Sequence, residues 1–151
     1  MKELNLVNSW RKALVDDDDY DRLNQYKWKL TTNGYVKMCG STHSILLHHM
    51  VIEIPHGMEP DHINRNKLDH RKENLRAATH AQNMANMKKH ERNSSSYRGV
   101  YPHGSRWRAY ITTNGRNCYL GMFDSQEDAA KAYNERAVLV FGKFAQLNQI
   151  S

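Results

Sequence analysis

The sequence predicts an α+β protein built from two modules, the second a three-stranded antiparallel sheet packed on one helix. Three observations support this prediction. Short apolar groups and acidic turns fill roughly the first 45 residues. His and Asn are concentrated in roughly the next 45 residues. In the remaining residues the spacing of hydrophobic positions changes from a period of 2 to a period of 3.6. A polar linker, 90–96, precedes that last part. We therefore predict modules over residues 1–90 and 91–151.

The first part of the chain predicts a β-rich segment with one short helix. Four consecutive aspartates, 16–19, precede Asp21–Leu23, and aspartates stabilise helix N-termini by capping and through the helix dipole. We interpret the aspartates in this way in preference to a metal cluster. Alternating polarity over Tyr26–Leu30 predicts a half-buried strand, and Thr32–Gly34 predicts a hairpin turn.

The middle part predicts a strand, a turn and a capped helix. The apolar run Ser44–Leu47 is typical of a strand, and Pro55–Gly57 is typical of a turn. Thr79 and Gln82 have the spacing of a capping box, in which each side chain bonds the backbone N–H of the other residue. We therefore expect a helix to follow, through Asn83–Lys89.

The last part predicts the sheet and its supporting helix. Trp107, Ala109 and Ile111 alternate with polar and aromatic residues that point to the opposite face, and Asn114-Gly115 predicts a tight hairpin. After Ser125 the period becomes 3.6, and one helical stripe carries Ala129, Ala130, Tyr133, Ala137, Val140 and Phe141. Gly142 is expected to end this helix in a left-handed conformation.

The charge of the chain favours a polyanionic partner. The 22 Lys and Arg residues outnumber the 16 Asp and Glu residues, which gives a formal net charge of +6, and nucleic acid is the commonest polyanion that basic proteins bind. No apolar run has the length of a membrane span, and the N-terminus is not a signal peptide. We therefore expect no membrane partner and a cytoplasmic location.

Asp61 and His62 are the centre of the predicted chemistry. Hydrolysis of a phosphodiester needs a divalent cation at the scissile phosphate and a base that activates water. Asp61 offers a carboxylate and Asn83 an amide oxygen for a hard cation, while His62 offers a base near neutral pH. Neighbouring residues on a strand point to opposite faces, so both can serve one site only if the strand ends there, and Asn64–Asn66 predicts that end.

Other metal sites are less well supported. Cys39 and Cys118 are far apart and belong to no Cys-x-x-Cys pair, so neither a zinc ribbon nor a disulfide framework is indicated. A zinc site of four histidines would lack a familiar ligand spacing, and we disfavour it. Its members would be His48, His49, His62 and His70.

The middle of the chain resembles the HNH homing endonucleases of phages and mobile introns, over about residues 12 to 90. The blocks that carry the resemblance are Leu47–Val51, Met58–Asn64, Asn66–Asp69, Glu73–Arg76 and Thr79–Asn83. The resemblance implies a ββα-metal nuclease module that cuts double-stranded DNA with Mg²⁺ or Mn²⁺. Two departures stand out: relatives usually carry Gly at the position of Arg65 and Asn at that of His70. Because Arg tolerates positive φ poorly, Arg65 implies either a relaxed turn or a basic group aimed at DNA.

The resemblance also implies a role for each matching residue. Asp61 and Asn83 would be metal ligands, His62 the general base, and Asn74 a structural residue that bridges backbone groups and orients His62. His48 matches a recurrent His on the preceding strand and is included in the candidate catalytic set, with its role left open. Two further residues are candidates for phosphate contact or are ordinary surface arginines, namely Arg71 and Arg76.

The last part resembles the Apetala/ethylene-response-factor (ERF) DNA-binding domain over residues 94–148. The matching blocks are Ser96–Val100, Trp107–Ile111, Tyr119–Phe123, Glu127–Asn134 and Gly142–Asn148. The resemblance implies that five residues face DNA, namely Arg98, Arg106, Arg108, Tyr110 and Tyr119. Tyr119 replaces a tryptophan of the plant members, and Tyr101 replaces an arginine, so the base preference of plant factors is not transferred.

Together these features predict a metal-dependent endonuclease that a C-terminal DNA-binding domain targets to double-stranded DNA. The alternatives are a DNA-binding transcriptional regulator with an inactive nuclease module, and a nucleoid-type protein that binds DNA without metal dependence or sequence preference. A monomer is favoured over an oligomer.

Overall fold

A computed structural model describes residues 1–40, 42–87 and 95–150, which divide into two compact units, Met1–Thr79 and His80–Ser151. The predicted α+β class is confirmed. The predicted module boundary after residue 90 lies outside the described residues and stays a prediction. Within the described ranges, no helix is long and apolar enough to cross a bilayer.

The elements follow in chain order. They are β1 (Lys2–Leu6), β2 (Ser9–Val15), α1 (Asp17–Leu23), β3 (Trp28–Leu30), β4 (Val36–Met38), α2 (Leu47–Val51), β5 (Glu59–His62), β6 (Leu75–Ala78), α3 (His80–Asn86), β7 (Val100–His103), β8 (Arg106–Thr113), β9 (Arg116–Phe123) and α4 (Gln126–Phe141). Two 3₁₀ turns complete them, Lys72–Asn74 and Gly142–Phe144.

A four-stranded sheet of order β2-β1-β3-β4 forms the frame of the first unit. Leu4 and Leu6 alternate with exposed residues on β1, so one face of the strand is buried. Strand β1 is antiparallel to β2 and pairs in parallel with β3 where Leu6 meets Trp28. Trp28 is buried, and its Nε1–H donates to the Leu23 carbonyl at 2.9 Å, which ties the sheet to α1.

Helix α1 contains the predicted Asp21–Leu23 and begins at Asp17. Its first turn carries three aspartates, which the helix dipole stabilises. Asp16 occupies the N-cap position without a capping side-chain bond, and its carboxylate accepts from the Lys72 backbone N–H at 2.8 Å. Asp19 is buried and pairs with Arg22 at 2.7 Å and with the Lys72 ammonium at 2.9 Å. The aspartates therefore join α1 to the 3₁₀ turn that precedes β6.

The predicted strand over Ser44–Leu47 is wrong. Leu46 makes only an isolated bridge to Lys37, and helix α2 begins at Leu47. Leu47 and Val51, four residues apart, are buried on one helical face. A four-residue apolar run fits a buried strand and a buried helix equally well by its pattern, and here the tertiary contacts select the helix. As a result, His48 lies on a helix and not on a strand.

Strands β5 and β6 form an antiparallel hairpin whose long connection carries much of the site. Strand β5 ends at His62, as the sequence predicts. The connection is tied to β2, because the Leu14 N–H donates to the Leu68 carbonyl at 2.7 Å and the His70 N–H donates to the Leu14 carbonyl at 2.8 Å. Arg65 has a φ of 64°, so the first of the two alternatives, a relaxed turn, is wrong: the turn keeps the left-handed conformation with an arginine in it. The second alternative, a basic group aimed at DNA, stays a prediction.

In the second unit, α4 packs on the three-stranded sheet β7-β8-β9, as predicted. The Ser125 hydroxyl caps α4 by accepting from the Asp128 N–H at 3.1 Å, and Asn114 and Gly115 both have positive φ in the hairpin. Gly142 has the expected positive φ of 52°, but its ψ of −126° lies outside the left-handed helical region. The predicted helix over Asn83–Lys89 appears as α3, which ends at Asn86; Lys88 and Lys89 lie outside the described residues.

Candidate functional site

Asp61 and His62 are both buried at the end of β5, with 3% and 5% of their surface exposed. Asp61 stands opposite Arg76 in the hairpin register, and the Arg76 Nε–H donates to Asp61 Oδ2 at 2.8 Å. The Arg76 side chain is itself largely buried, with 13% exposed. The structure thus places Arg76 against the candidate metal ligand, where it fixes the orientation of the carboxylate.

The environment of His62 keeps its imidazole neutral. Burial lowers the pKa of His62, and the nearby carboxylates of Asp61 and Asp69 oppose that shift without reversing it. A neutral imidazole has a ring nitrogen that can accept a proton, which is what a general base requires.

Asn74 bridges the two ends of the connection between β5 and β6. Its Oδ1 accepts from the Asn64 backbone N–H at 2.9 Å, and its Nδ2 donates to the Asp69 carbonyl at 2.8 Å. The Asn74 carbonyl also accepts from the Ile63 N–H at 2.8 Å, directly after His62. The side chain therefore lies where it can hold the backbone that carries His62.

Asp69 and Arg71 stiffen the same connection. The Asp69 carboxylate is buried and accepts from the Arg71 guanidinium at 2.8 and 2.7 Å and from the Asn64 side chain at 2.9 Å. The hydrogen bonds from Arg71 lower the pKa of Asp69, so this carboxylate stays ionised. Arg71 also pairs with Glu73. Both arginines considered for phosphate contact are thus engaged by acidic side chains of their own hairpin.

Three buried histidines meet beside the site: His48 from α2, His62 from β5 and His70 from the connection. Their ring centroids are 5.2 to 6.2 Å apart, and one possible ligand atom from each lies within 4.8 Å of the others. Burial lowers the pKa of both His48 and His70 to about 3. His49 is exposed and touches only the edge of this group, with its ring 4.7 Å from that of His48. The structure therefore assembles three of the four histidines that spacing alone disfavoured as a group.

Asn83 lies on α3, in the second unit. Its assignment as a metal ligand beside Asp61 stays a prediction.

Four of the five candidate DNA-facing residues lie on the outer face of the second unit's sheet. Ala109 and Ile111 point into the core, whereas Arg106, Arg108 and Tyr110 point away from it. Arg106 Nε–H donates to Asp124 at 2.8 Å, and Arg108 contacts His103 Nε2 at 2.6 Å. Both cations remain at least partly exposed.

Tyrosines form a row across the same face. The ring of Tyr110 lies 5.3 Å from that of Tyr119, its partner on β9, and 6.0 Å from that of Tyr101 on β7. Arg98 differs from the other candidates, because its guanidinium donates to the Met87 carbonyl and its backbone N–H donates to Asn148 at 2.6 Å. Arg98 is thus held by its own unit.

Comparison with known proteins identifies the class of the site. The family model for HNH endonucleases matches residues 42–85, which include Asp61, His62 and Asn74. An uncharacterized HNH endonuclease of Acanthamoeba polyphaga mimivirus is 33% identical over 145 residues, which cover 91% of this chain and 75% of the viral protein. The chain belongs to the HNH endonuclease family, and is a nuclease on that ground.

The C-terminal part is similar to plant proteins. An AP2-like ethylene-responsive transcription factor of Arabidopsis thaliana is 44% identical over 57 residues, 36% of this chain and 12% of the plant protein. APETALA2-like protein 2 of Oryza sativa subsp. indica is 42% identical over 57 residues, 36% of this chain and 13% of the plant protein. The chain thus covers about an eighth of each plant factor.

Proposed function

We propose that this protein is an HNH endonuclease of the homing type that hydrolyses double-stranded DNA with a divalent metal ion, and that its C-terminal unit targets it to DNA. The observation that supports this most directly is the buried, neutral His62 beside Asp61 at the end of β5, on a backbone held by Asn74. A neutral His62 imidazole can accept a proton, and the Asp61 carboxylate next to it is a ligand that hard cations prefer.

The donor set fits a magnesium or manganese ion. Asp61 and Asn83 would hold it, because carboxylate and amide oxygens suit hard cations that keep several waters. When bound, such an ion would neutralise charge at the scissile phosphate and at the leaving oxygen. Arg76 would hold the Asp61 carboxylate in a fixed orientation through the charge-assisted hydrogen bond at 2.8 Å.

The proton transfer is assigned to His62. Its neutral imidazole takes a proton from the attacking water as the water oxygen bonds to phosphorus and the bond from phosphorus to the 3′ oxygen breaks, and a solvent water then protonates the leaving 3′ oxygen. The products expected from the family resemblance are a 3′ hydroxyl and a 5′ phosphate. His48, whose ring packs edge-on against that of His62 at 5.8 Å, would act as a positioning residue behind the base.

The C-terminal unit would bind duplex DNA through the outer face of its sheet. Arg106 and Arg108 would contact phosphates, and the tyrosine row would lie against the groove, since a major groove admits a β-sheet element. Binding should fall steeply with salt, because each neutralised phosphate releases counterions. We expect a monomer that works on DNA in the cytoplasm, of a host cell if a phage encodes it.

Metal-dependent cutting by the purified protein tests this proposal. Phage and host DNA are incubated with the protein in EDTA, Mg²⁺ or Mn²⁺, beside His62→Ala and the control His56→Ala, a histidine exposed in a turn of the same unit. We expect cutting only with metal, abolished in His62→Ala and retained in His56→Ala. Tight binding without cutting in either metal would refute the nuclease and favour the regulator; cutting that persists in His62→Ala would refute the assigned base.

A further inference from the structure

The three-histidine cluster, His48, His62 and His70, has the chemistry of a nitrogen-donor metal site. The three side chains come from three separate segments of the first unit and point one ligand atom each into a volume in which these atoms lie within 4.8 Å of one another. All three are at least 95% buried, with exposures of 1%, 5% and 0%. Solvent therefore does not replace hydrogen bonds at their rings.

Two of these rings are left without hydrogen-bond partners. Both ring nitrogens of His48 and both of His70 are buried and make no hydrogen bond to any described residue. The Leu68 carbonyl is near enough to favour the protonated form of His70, but neither ring nitrogen meets it in hydrogen-bonding geometry. Buried polar atoms without partners are rare in folded proteins, and the binding of an ion or ligand by these atoms is one of the recognised reasons for them.

We propose that His48, His62 and His70 bind a borderline-soft transition metal ion, of which Zn²⁺ is the best example, at a site distinct from the oxygen-donor pair Asp61 and Asn83. Three imidazole nitrogens with a fourth, open position is an established tetrahedral zinc arrangement. Mg²⁺ prefers oxygen ligands and would not compete for this site. Ligand nitrogens about 2.0–2.1 Å from a tetrahedral ion lie about 3.4 Å apart, so the cluster must contract slightly when it binds.

Zinc at this site would inhibit the nuclease. This consequence rests on the proposed function, because it depends on His62 being the base. A ring nitrogen that donates its lone pair to a metal cannot accept a proton, and a metal-bound imidazole is a weaker base at its other nitrogen. Zn²⁺ bound by the three histidines would then inhibit the cutting that Mg²⁺ or Mn²⁺ supports.

Binding is tested directly on the metal-free full-length protein. Zn²⁺ content is measured after equilibrium dialysis, and Co²⁺ is titrated as a spectroscopic probe whose visible absorption distinguishes four-coordinate nitrogen ligation from six-coordinate oxygen ligation. We expect one Zn²⁺ per chain and a four-coordinate Co²⁺ spectrum. His70→Asn, which introduces the residue usual in relatives, should weaken Zn²⁺ affinity by more than the roughly 10–100-fold typical of outer-sphere changes. The exposed His56→Asn is the matched control and should bind as the unchanged protein does.

Several outcomes would overturn the proposal. A six-coordinate Co²⁺ spectrum or no bound Zn²⁺ in the unchanged protein would refute the site, whether or not any variant folds. Equal affinity in His70→Asn and His56→Asn would also refute it, with circular dichroism confirming that both variants are folded.

The inhibitory part has its own readout. The Zn²⁺ concentration that halves Mg²⁺-dependent cutting should equal the Kd from the metal titration, in the unchanged protein and in His56→Asn alike. Cutting that continues at saturating Zn²⁺ would refute the inhibition. Zinc binding with no cutting under any condition would refute the proposed nuclease function and leave the three-histidine site standing.

Discussion

Asn74→Ala tests how far the site depends on one buried amide. The substitution removes two hydrogen bonds, from the Asn64 N–H at 2.9 Å and to the Asp69 carbonyl at 2.8 Å. The Asp69 carbonyl accepts a buried hydrogen bond from Asn74, so the loss of this donor costs about 1–3 kcal/mol. The Asn64 N–H is partly buried and can gain a water, so its loss costs about 0.5–1.5 kcal/mol. Together we expect the free energy of unfolding to fall by about 1.5–4.5 kcal/mol.

Urea unfolding, followed by tryptophan fluorescence, measures this loss. Trp28 is 1% exposed in the core of the first unit and should report its unfolding. Asn5→Ala, at an exposed position on β1, is the matched control and should change stability by less than about 0.5 kcal/mol. A loss below about 1 kcal/mol in Asn74→Ala, close to that of the control, would show that water or the backbone replaces the bridge and would refute the reasoning.

Three further predictions follow from other parts of the chain. Arg65→Gly should stabilise the protein by about 1 kcal/mol in urea unfolding, because it relieves a positive φ of 64°, and an unchanged stability would contradict this. Burial raises the pKa of Asp19, but its interactions with Lys72 and Arg22 outweigh burial and lower the pKa below 3.8. The stabilising contribution of Asp19 is therefore present above pH 3.8 and is lost as the pH falls through the lower pKa of the folded state. Asp19→Asn should remove that part of the acid unfolding transition, as measured by circular dichroism at different pH values. Arg108→Ala should reduce the slope of log binding constant against log salt concentration by about one phosphate contact, whereas Tyr119→Ala should weaken DNA binding and leave this slope unchanged. Fluorescence anisotropy at several salt concentrations measures both effects.

Local sequence signals predicted the elements whose structure depends on near neighbours. The polar run Asn64–Asn66 correctly predicts the end of β5, and the change of period after Ser125 correctly predicts α4. Asn114 and Gly115 adopt the positive φ that their hairpin requires. In each of these cases a few adjacent side chains decide the backbone conformation.

The misses arise where tertiary contacts decide. Ser44–Leu47 is too short for its period to distinguish a strand from a helix, and the core selects the helix. The histidine cluster joins residues from α2, β5 and the connection after β5, and their spacing in the sequence does not predict that they lie close together. The one available signal was His70 in a position where relatives usually carry Asn.

The two backbone hydrogen bonds through Leu14 have a consequence for motion. They join the connection between β5 and β6 to a strand of the four-stranded sheet, so this side of the site opens only when the pairing along β2 is disturbed. Amide protons of Leu14 and His70 should then exchange with solvent at rates set by cooperative unfolding of the first unit, and not by local fraying. The N-terminal hairpin, although it contributes no predicted ligand or base, determines how long the site stays intact.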